Sequence, residues 1–350
     1  MAGTTHDRIR VGVIGLGRLW EARHKPALLR LRDRFQVVSV YDQVARRAAI
    51  EAASLRCEAA DGLTQMVGRE DLDAIYVLTP QWFGTHPIRL ACEAGKPIYC
   101  ALPPASEPEA FERIAPMLRE SGVAFMPELA RRFYPATLRL KELLATTLGP
   151  ARLILGHTRL FGFDRYGTPG PSTQLAPVPL SIDPGSYLVD WCRDLFGVEV
   201  SRLRAAETMV LPAMADGSPD YLSVTLDFAG GGLAQVGIGR YHRAPWGDAI
   251  RFLPQPGFQV YAERGSAWLE MPDRIAWTDA QGSHEERLPM EPTVGEVLND
   301  QFHRLVRGEP SLAPGLDDAL ALVNLDRELR KSLGRRAANA SASEGPEDSA

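Results

Sequence analysis

The chain has 350 residues, 45% of them apolar and 24% charged, with a net charge of −5 and an isoelectric point near 5.9. That length accommodates two domains with ample core, and the mild acidity leaves no electrostatic footprint for nucleic acid. No stretch approaches the ~18 apolar residues of a membrane span, and Arg8 and Arg10 interrupt any signal-peptide pattern, so a cytoplasmic protein without membrane partners is expected.

Residues 9–15 (IRVGVIG) form an apolar run that breaks into Gly-Leu-Gly and continues as a helix to about Arg32. A second run, VVSVYD (37–42), precedes a helix rich in alanine and arginine. DAIYVLTP (73–80), PIYCAL (97–102) and AFMPEL (124–129) read as further strands, with helices from about His86 to Ala94 and Glu107 to Glu120. Strands that are continuously apolar and alternate with helices predict a parallel sheet covered on both faces.

The pattern changes after about residue 150. RLILGHTRLF, YLSVTLDF, LAQVGIGRYH, FQVYAE and SAWLEM are strands with few helices between them. Asp227 to Leu233 (DFAGGGL) is a hairpin turn and not a phosphate loop. Helices close the fold near Gly295–Val306 and Leu316–Leu333, and the small polar residues 336–350 predict a disordered tail. The expected organisation is an α/β chain: residues 1–130 a doubly wound parallel sheet, 131–335 an α+β domain with a large open mixed sheet. Cys57, Cys92, Cys100 and Cys192 are scattered without CxxC spacing, which predicts buried thiols and not disulfides or a metal site.

The first strand, turn and helix carry Gly15-Leu-Gly17-Arg18-Leu19-Trp20. Two glycines in this context permit a tight turn and let backbone N–H groups approach a pyrophosphate at a helix start, the Rossmann dinucleotide arrangement. Asp42 at the tip of the second strand stands where an acid binds a ribose 2′-hydroxyl and disfavours the phosphate of NADP, so NAD is the expected cofactor, with NADP disfavoured. Trp20 is a departure, because a third glycine there lets helix and strand pack closely.

Taken in order, VGVIGLGRLWEARHKPAL, DLDAIYVLTP with ACEAGKPIYC, ARRFYPATLRLKELL, DPGSYLVD and APGLDDALALVNL resemble the glucose-fructose oxidoreductase, inositol dehydrogenase and rhizopine catabolism family, Gfo/Idh/MocA. The resemblance covers about residues 8–335. It implies NAD(P) in the first domain, oxidation or reduction of sugars and cyclitols by the second, and a homo-oligomer through the open sheet. Thr79 and Pro80 match the family's cofactor position, and Trp82 just beyond covers either a nicotinamide or only the loop.

Two family signatures are altered. The strand end that reads Glu-Lys-Pro in the family, its lysine polarising the reacting hydroxyl, is Ala101-Leu102-Pro103 here. Lys96 lies at the far end of that strand, about 20 Å away at ~3.3 Å per residue, and cannot substitute. The Asp-x-Gly-x-His-x-x-Asp signature is Asp183-Pro-Gly-Ser-Tyr187-Leu-Val-Asp190, with a phenol in the imidazole's place. The resemblance implies Tyr187 as acid-base group and Asp183 as the residue that orients substrate; the bland alternative is a helix cap and a packed ring. Trp191, one turn on, shares the Tyr187 face. Gly84 replaces a histidine common in the family. His157 on a strand and Arg132 after the fifth strand are further substrate candidates, each with a structural alternative.

The expected activity is an NAD(P)-dependent oxidoreductase of a small sugar, cyclitol or derivative, weakened by Leu102. The alternative is an inactive member that senses or binds a ligand. A third possibility retains the cofactor for a non-redox lyase or hydrolase cycle.

Overall fold

A computed structural model describes residues 8–79, 83–101, 108–161, 186–208, 221–241 and 257–343. The chain divides into two compact units. The first comprises residues 1–133 and 290–323, the second residues 134–289 and 324–350.

The first unit is built on the expected parallel sheet. Strands β1 (Ile9–Ile14), β2 (Phe35–Tyr41), β3 (Glu58–Ala59), β4 (Ala74–Val77), β5 (Ile98–Cys100) and β6 (Phe125–Pro127) lie in the order β3-β2-β1-β4-β5-β6. Every pairing is parallel. The chain leaves β1 towards β2 on one side and returns to β4 on the other, so the strand order reverses between β1 and β4. Such a switch point opens a crevice beyond the carboxyl ends of the strands. All four residues of β4 and all three of β5 are buried, as covering helices on both faces require.

The helices of this unit are α1 (Lys25–Arg30), α2 (Ala45–Leu55), α3 (Leu63–Val67), α4 (His86–Glu93) and α5 (Pro108–Ser121). Helix α8 (Val294–Arg307) belongs to it as well, although chain order placed it with the second domain. Packing is the reason: Leu298 and Phe302 are fully buried, and the Phe302 ring meets Tyr76 and Tyr99 edge-on at 5.3 and 5.5 Å. The Tyr76 hydroxyl donates to Asn299 Oδ1 at 2.5 Å. A Cβ on Gly295 would stand 2.7 Å from the Arg23 carbonyl oxygen, so glycine permits this close approach.

In the second unit, helices α6 (Pro135–Leu143) and α7 (Ser186–Phe196) accompany an eight-stranded mixed sheet. Its strands are β7 (Ala151–Phe161), β8 (Val200–Thr208), β9 (Tyr221–Phe228), β10 (Leu233–Tyr241), β11 (Gly257–Ala262), β12 (Gly265–Glu270), β13 (Arg274–Asp279) and β14 (Gly282–Arg287), in the order β14-β13-β12-β11-β7-β10-β9-β8. Only β7 and β10 pair in parallel. Strand β9 alternates strictly, Leu222, Val224, Leu226 and Phe228 buried and their neighbours half-buried. One face therefore holds the core with Ile154, Val236, Phe258 and Trp191. The other carries Leu155, Gln235, Gln259, Tyr261 and Trp268, with Tyr261 43% exposed.

Helix α9 (Leu316–Ser343) begins in the first unit and continues in the second. Its backbone is helical through residue 343, where a disordered tail is expected. Alanines at 337, 338, 340 and 342 are strong helix formers and extend it. No described helix is long and apolar enough to cross a membrane, and none of the four cysteines is in a disulfide.

Candidate functional site

The Gly15 turn lies at the switch point. Gly15 adopts φ +95°, a left-handed conformation open to glycine, and its N–H donates to the Tyr41 carbonyl at 2.8 Å. A Cβ there would lie 2.8 Å from the Leu78 carbonyl carbon and oxygen and 2.9 Å from the Thr79 nitrogen. The turn is thus pressed against the tip of β4 with no room for a side chain. A Cβ on Gly17, by contrast, would meet nothing within 4 Å. Backbone on that side is open to close approach by a ligand, with Arg18 exposed and Leu19 half-buried at the start of the helix that follows.

Trp20 does not spoil this arrangement. The helix widens into a π turn over Trp20–His24, and the indole, 1% exposed, packs with Val40, Ala48 and Ala52. Its Nε1 donates to Glu51 Oε1 at 3.1 Å, and Lys25 pairs with the same carboxylate at 2.8 Å. The side chain turns towards α2, so the glycine turn keeps its shape without a third glycine.

Two acidic groups and a hydroxyl stand at the strand tips. Asp42 follows β2 and accepts the Leu16 N–H at 2.9 Å. Thr79, after β4, is 6% exposed, and its Oγ1 has no hydrogen-bond partner among the described residues. Glu128 follows β6 and is buried with His24, whose Nε2 lies 2.9 Å from Oε2. It also takes the Tyr99 hydroxyl at 3.0 Å and pairs with Arg23. Burial alone would raise the Glu128 pKa; His24, Arg23 and the Tyr99 hydroxyl outweigh it and hold the carboxyl down at about 2. The π turn explains how adjacent Arg23 and His24 both reach one carboxylate, because a widened turn shifts successive side chains relative to an α-helix. This network escapes sequence inspection, because Glu128 is 104 residues from His24.

The glycine turn, the Asp42 acceptor and the orphaned Thr79 hydroxyl fit a dinucleotide. The turn offers close backbone approach at a helix start, and the Thr79 hydroxyl offers a buried polar group without a partner among the described residues. Among the described residues no cluster of His, Cys, Asp or Glu could hold a metal.

The other predicted residues are dispersed. Pro80, Trp82, Leu102 and Asp183 lie outside the described residues. Ala101 is described, its N–H donating to the Val77 carbonyl at 2.9 Å. Arg132 sits in a 3-10 turn, 8% exposed, and pairs with Asp318 at 2.8 Å within the first unit; it neither begins a solvated helix nor presents a bare cation. Tyr187 is half-buried in the first turn of α7. Trp191, one turn on, is fully buried, donates to Thr137 Oγ1 at 3.1 Å and packs on Phe258 at 4.8 Å between ring centres. This corrects its expected substrate role, since its N–H and its surface are both spent on the core. His157 lies on the opposite face of that sheet, stacked on Tyr221 at 6.0 Å, so it does not join Trp191.

Comparison with known proteins agrees with this geometry. Residues 9–129 match the model described as "Oxidoreductase family, NAD-binding Rossmann fold", and residues 165–268 match the "GFO/IDH/MocA C-terminal domain". The 2,7-anhydro-N-acetylneuraminate hydratase of Escherichia coli (strain K12) is 22% identical over 75% of this chain and 68% of that protein. An inositol 2-dehydrogenase of Acidothermus cellulolyticus is 30% identical over 57% of each. The crystal structure of UDP-N-acetylglucosamine 3-dehydrogenase GnnA from Acidithiobacillus ferrooxidans superposes with a TM-score of 0.77, covering 94% of this chain and 98% of that one at 18% identity. With both of its domains matched, and with a Rossmann sheet and glycine turn to bear the first of them out, the chain belongs to the Gfo/Idh/MocA oxidoreductase family.

Proposed function

We propose that the protein is an oxidoreductase that prefers NAD and acts on a carbinol or ketone carbon of a sugar, cyclitol or sugar derivative. The observation that carries this reading is the Gly15 turn packed against Leu78 and Thr79 at the switch point, with the buried Thr79 hydroxyl lacking a partner among the described residues. Asp42 at the tip of β2 supports NAD over NADP. Dehydrogenases of inositol and of a nucleotide sugar among the relatives support a cyclic polyol as substrate class.

When bound, the nicotinamide would supply the hydride donor or acceptor. The chain's own contribution is to hold the cofactor by the Gly15–Gly17 backbone and Thr79, and to manage a proton at the Tyr187 hydroxyl, with Asp183 orienting the substrate. Leu102 stands where the family has a lysine. The missing cation would cost about 10²- to 10³-fold in rate, as loss of one electrostatic contact to a developing alkoxide typically does. Weak turnover of free sugars and cyclitols is therefore expected, rising in Leu102→Lys and lost in Tyr187→Phe.

The hydratase relative supports a second reading of the same site, in which cofactor is retained and no net redox change accumulates. Product analysis separates the two, since the second leaves the NAD:NADH ratio constant while substrate is consumed. A titration followed by nicotinamide fluorescence and melting temperature tests the common premise. NADH should bind the wild type and fail to bind Gly15→Ala, where the added Cβ meets the β4 backbone. A wild type that binds neither NADH nor NADPH sinks the proposal.

A further inference from the structure

Trp20 stands where a third glycine would let helix and strand pack closely, and the chain accommodates it with the π turn over Trp20–His24. The helix opens in α geometry, the Glu21 N–H donating to the Gly17 carbonyl at 3.1 Å. It then widens, and the Lys25 N–H reaches back five residues to the Trp20 carbonyl. Such turns are rare and take in one extra residue. Two carboxylates brace this one, from elements on the two flanks of β1 in the sheet order. Glu51, on α2, accepts Trp20 Nε1 at 3.1 Å and pairs with Lys25 at 2.8 Å. Glu128, after β6, takes Arg23 and His24. Four of the six side chains from Trp20 to Lys25 are thus held, and the other two, Glu21 and Ala22, are exposed.

We propose that Glu51 and Glu128 are positioning residues for the cofactor, bracing the π turn so that the Gly15–Gly17 backbone stays where the dinucleotide meets it. The inference rests on the dinucleotide reading above. Without the brace the wide turn relaxes to α geometry and releases one residue of slack, about 1.5 Å along the axis. Downstream the helix cannot take this up, because Ala27 and Leu28 are buried and Gly295 lies against the Arg23 carbonyl. Upstream it can, since among the described residues no atom stands within 4 Å of a Cβ on Gly17. The slack therefore enters the glycine turn. Neither carboxylate touches the cofactor; each acts through the turn.

The test is a titration of the full chain with NADH, read by nicotinamide fluorescence, for the wild type, Glu51→Ala, Glu51→Gln, Glu128→Gln and Asp73→Asn. Asp73 holds Arg10 at 2.8 and 3.0 Å beside the amino ends of β1 and β4, the far end of the sheet from the glycine turn. Its variant therefore controls for lost stability alone. Glu51→Ala and Glu128→Gln should each weaken NADH by about tenfold, the scale of one or two misplaced hydrogen bonds. Glu51→Gln, which keeps an acceptor for Trp20 Nε1, should recover part of that loss, and Asp73→Asn should stay within about twofold of wild type. Plain electrostatics predicts the reverse sign, because each glutamate substitution removes negative charge from the surroundings of an anionic ligand. NADH affinity equal to or tighter than wild type in either Glu51→Ala or Glu128→Gln overturns this inference alone, as does a loss of the same size in Asp73→Asn. Should Glu128→Gln fail to fold, the two Glu51 variants decide. A wild type that binds no dinucleotide overturns the dinucleotide reading and this inference with it.

Discussion

Glu128 shows how a single residue ties the cofactor end of the first unit together. It is 7% exposed and joins the π turn after the glycine loop, through Arg23 and His24, to the Tyr99 hydroxyl on β5. Its carboxyl is held near 2, below its ordinary value of 4.5. The folded pKa is the lower one, so the stability it contributes is fully present above about 4.5 and is lost as pH falls towards 2. Glu128→Gln should lower the unfolding free energy at pH 7 by about 1 to 3 kcal/mol, since it removes the carboxylate that the buried His24 ring, the Tyr99 hydroxyl and the partly exposed Arg23 share. It should also flatten the acid limb of the stability curve. Urea unfolding at pH 7, 4 and 3 checks both; equal stability of wild type and variant throughout would show that the network contributes nothing net.

Among the elements, α8 has the clearest start and stop signals. Thr293 Oγ1 accepts the Glu296 N–H at 3.3 Å while Glu296 Oε2 accepts the Thr293 N–H at 2.9 Å, a reciprocal capping box. Gly308, at φ +69°, ends the helix. What the helix stabilises is less local. Phe302 fills the space against the stacked Tyr76 and Tyr99 rings, whose centres are 4.9 Å apart. Phe302→Ala should cost about 3 to 5 kcal/mol through lost burial and a residual cavity. Asn299→Ala should cost about 1 to 3 kcal/mol by orphaning the buried Tyr76 hydroxyl. Both are read from urea midpoints, and a Phe302→Ala effect below 1 kcal/mol would mean that α8 is not part of the first unit's core.

At the scale of the whole molecule, the face of the eight-stranded sheet opposite its core presents large apolar side chains among the described residues. Tyr261 is 43% and Leu233 36% exposed, with Leu155 and Trp268 half-buried in the adjoining rows. We propose that a second copy of the chain covers this face. Sedimentation should show an oligomer that Tyr261→Glu combined with Trp268→Glu converts to monomer, with NADH affinity unchanged because the substitutions lie outside the Rossmann unit. A wild type that sediments as a monomer at tens of micromolar rules this out.

Much of the architecture is legible in the residues themselves. Continuously apolar runs that alternate with helices bury both faces only in a covered parallel sheet, and the period of two in 221–228 states which side of β9 meets the core. Gly15 and Gly17 are legible because glycine at a strand-to-helix turn has few other uses. Strands β8 and β14 are not, since these two edges of the second sheet read as polar segments (SRLRAAET, GSHEER) without a hydrophobic signature. Only the tertiary structure decides where a side chain's partner comes from. Trp20 turns to Glu51 on the neighbouring helix, Arg132 finds Asp318 186 residues away, and α8 packs on strands more than 200 residues before it. Local sequence sets backbone propensity and which face is apolar, whereas these pairings depend on which surfaces the folded chain brings within hydrogen-bond reach.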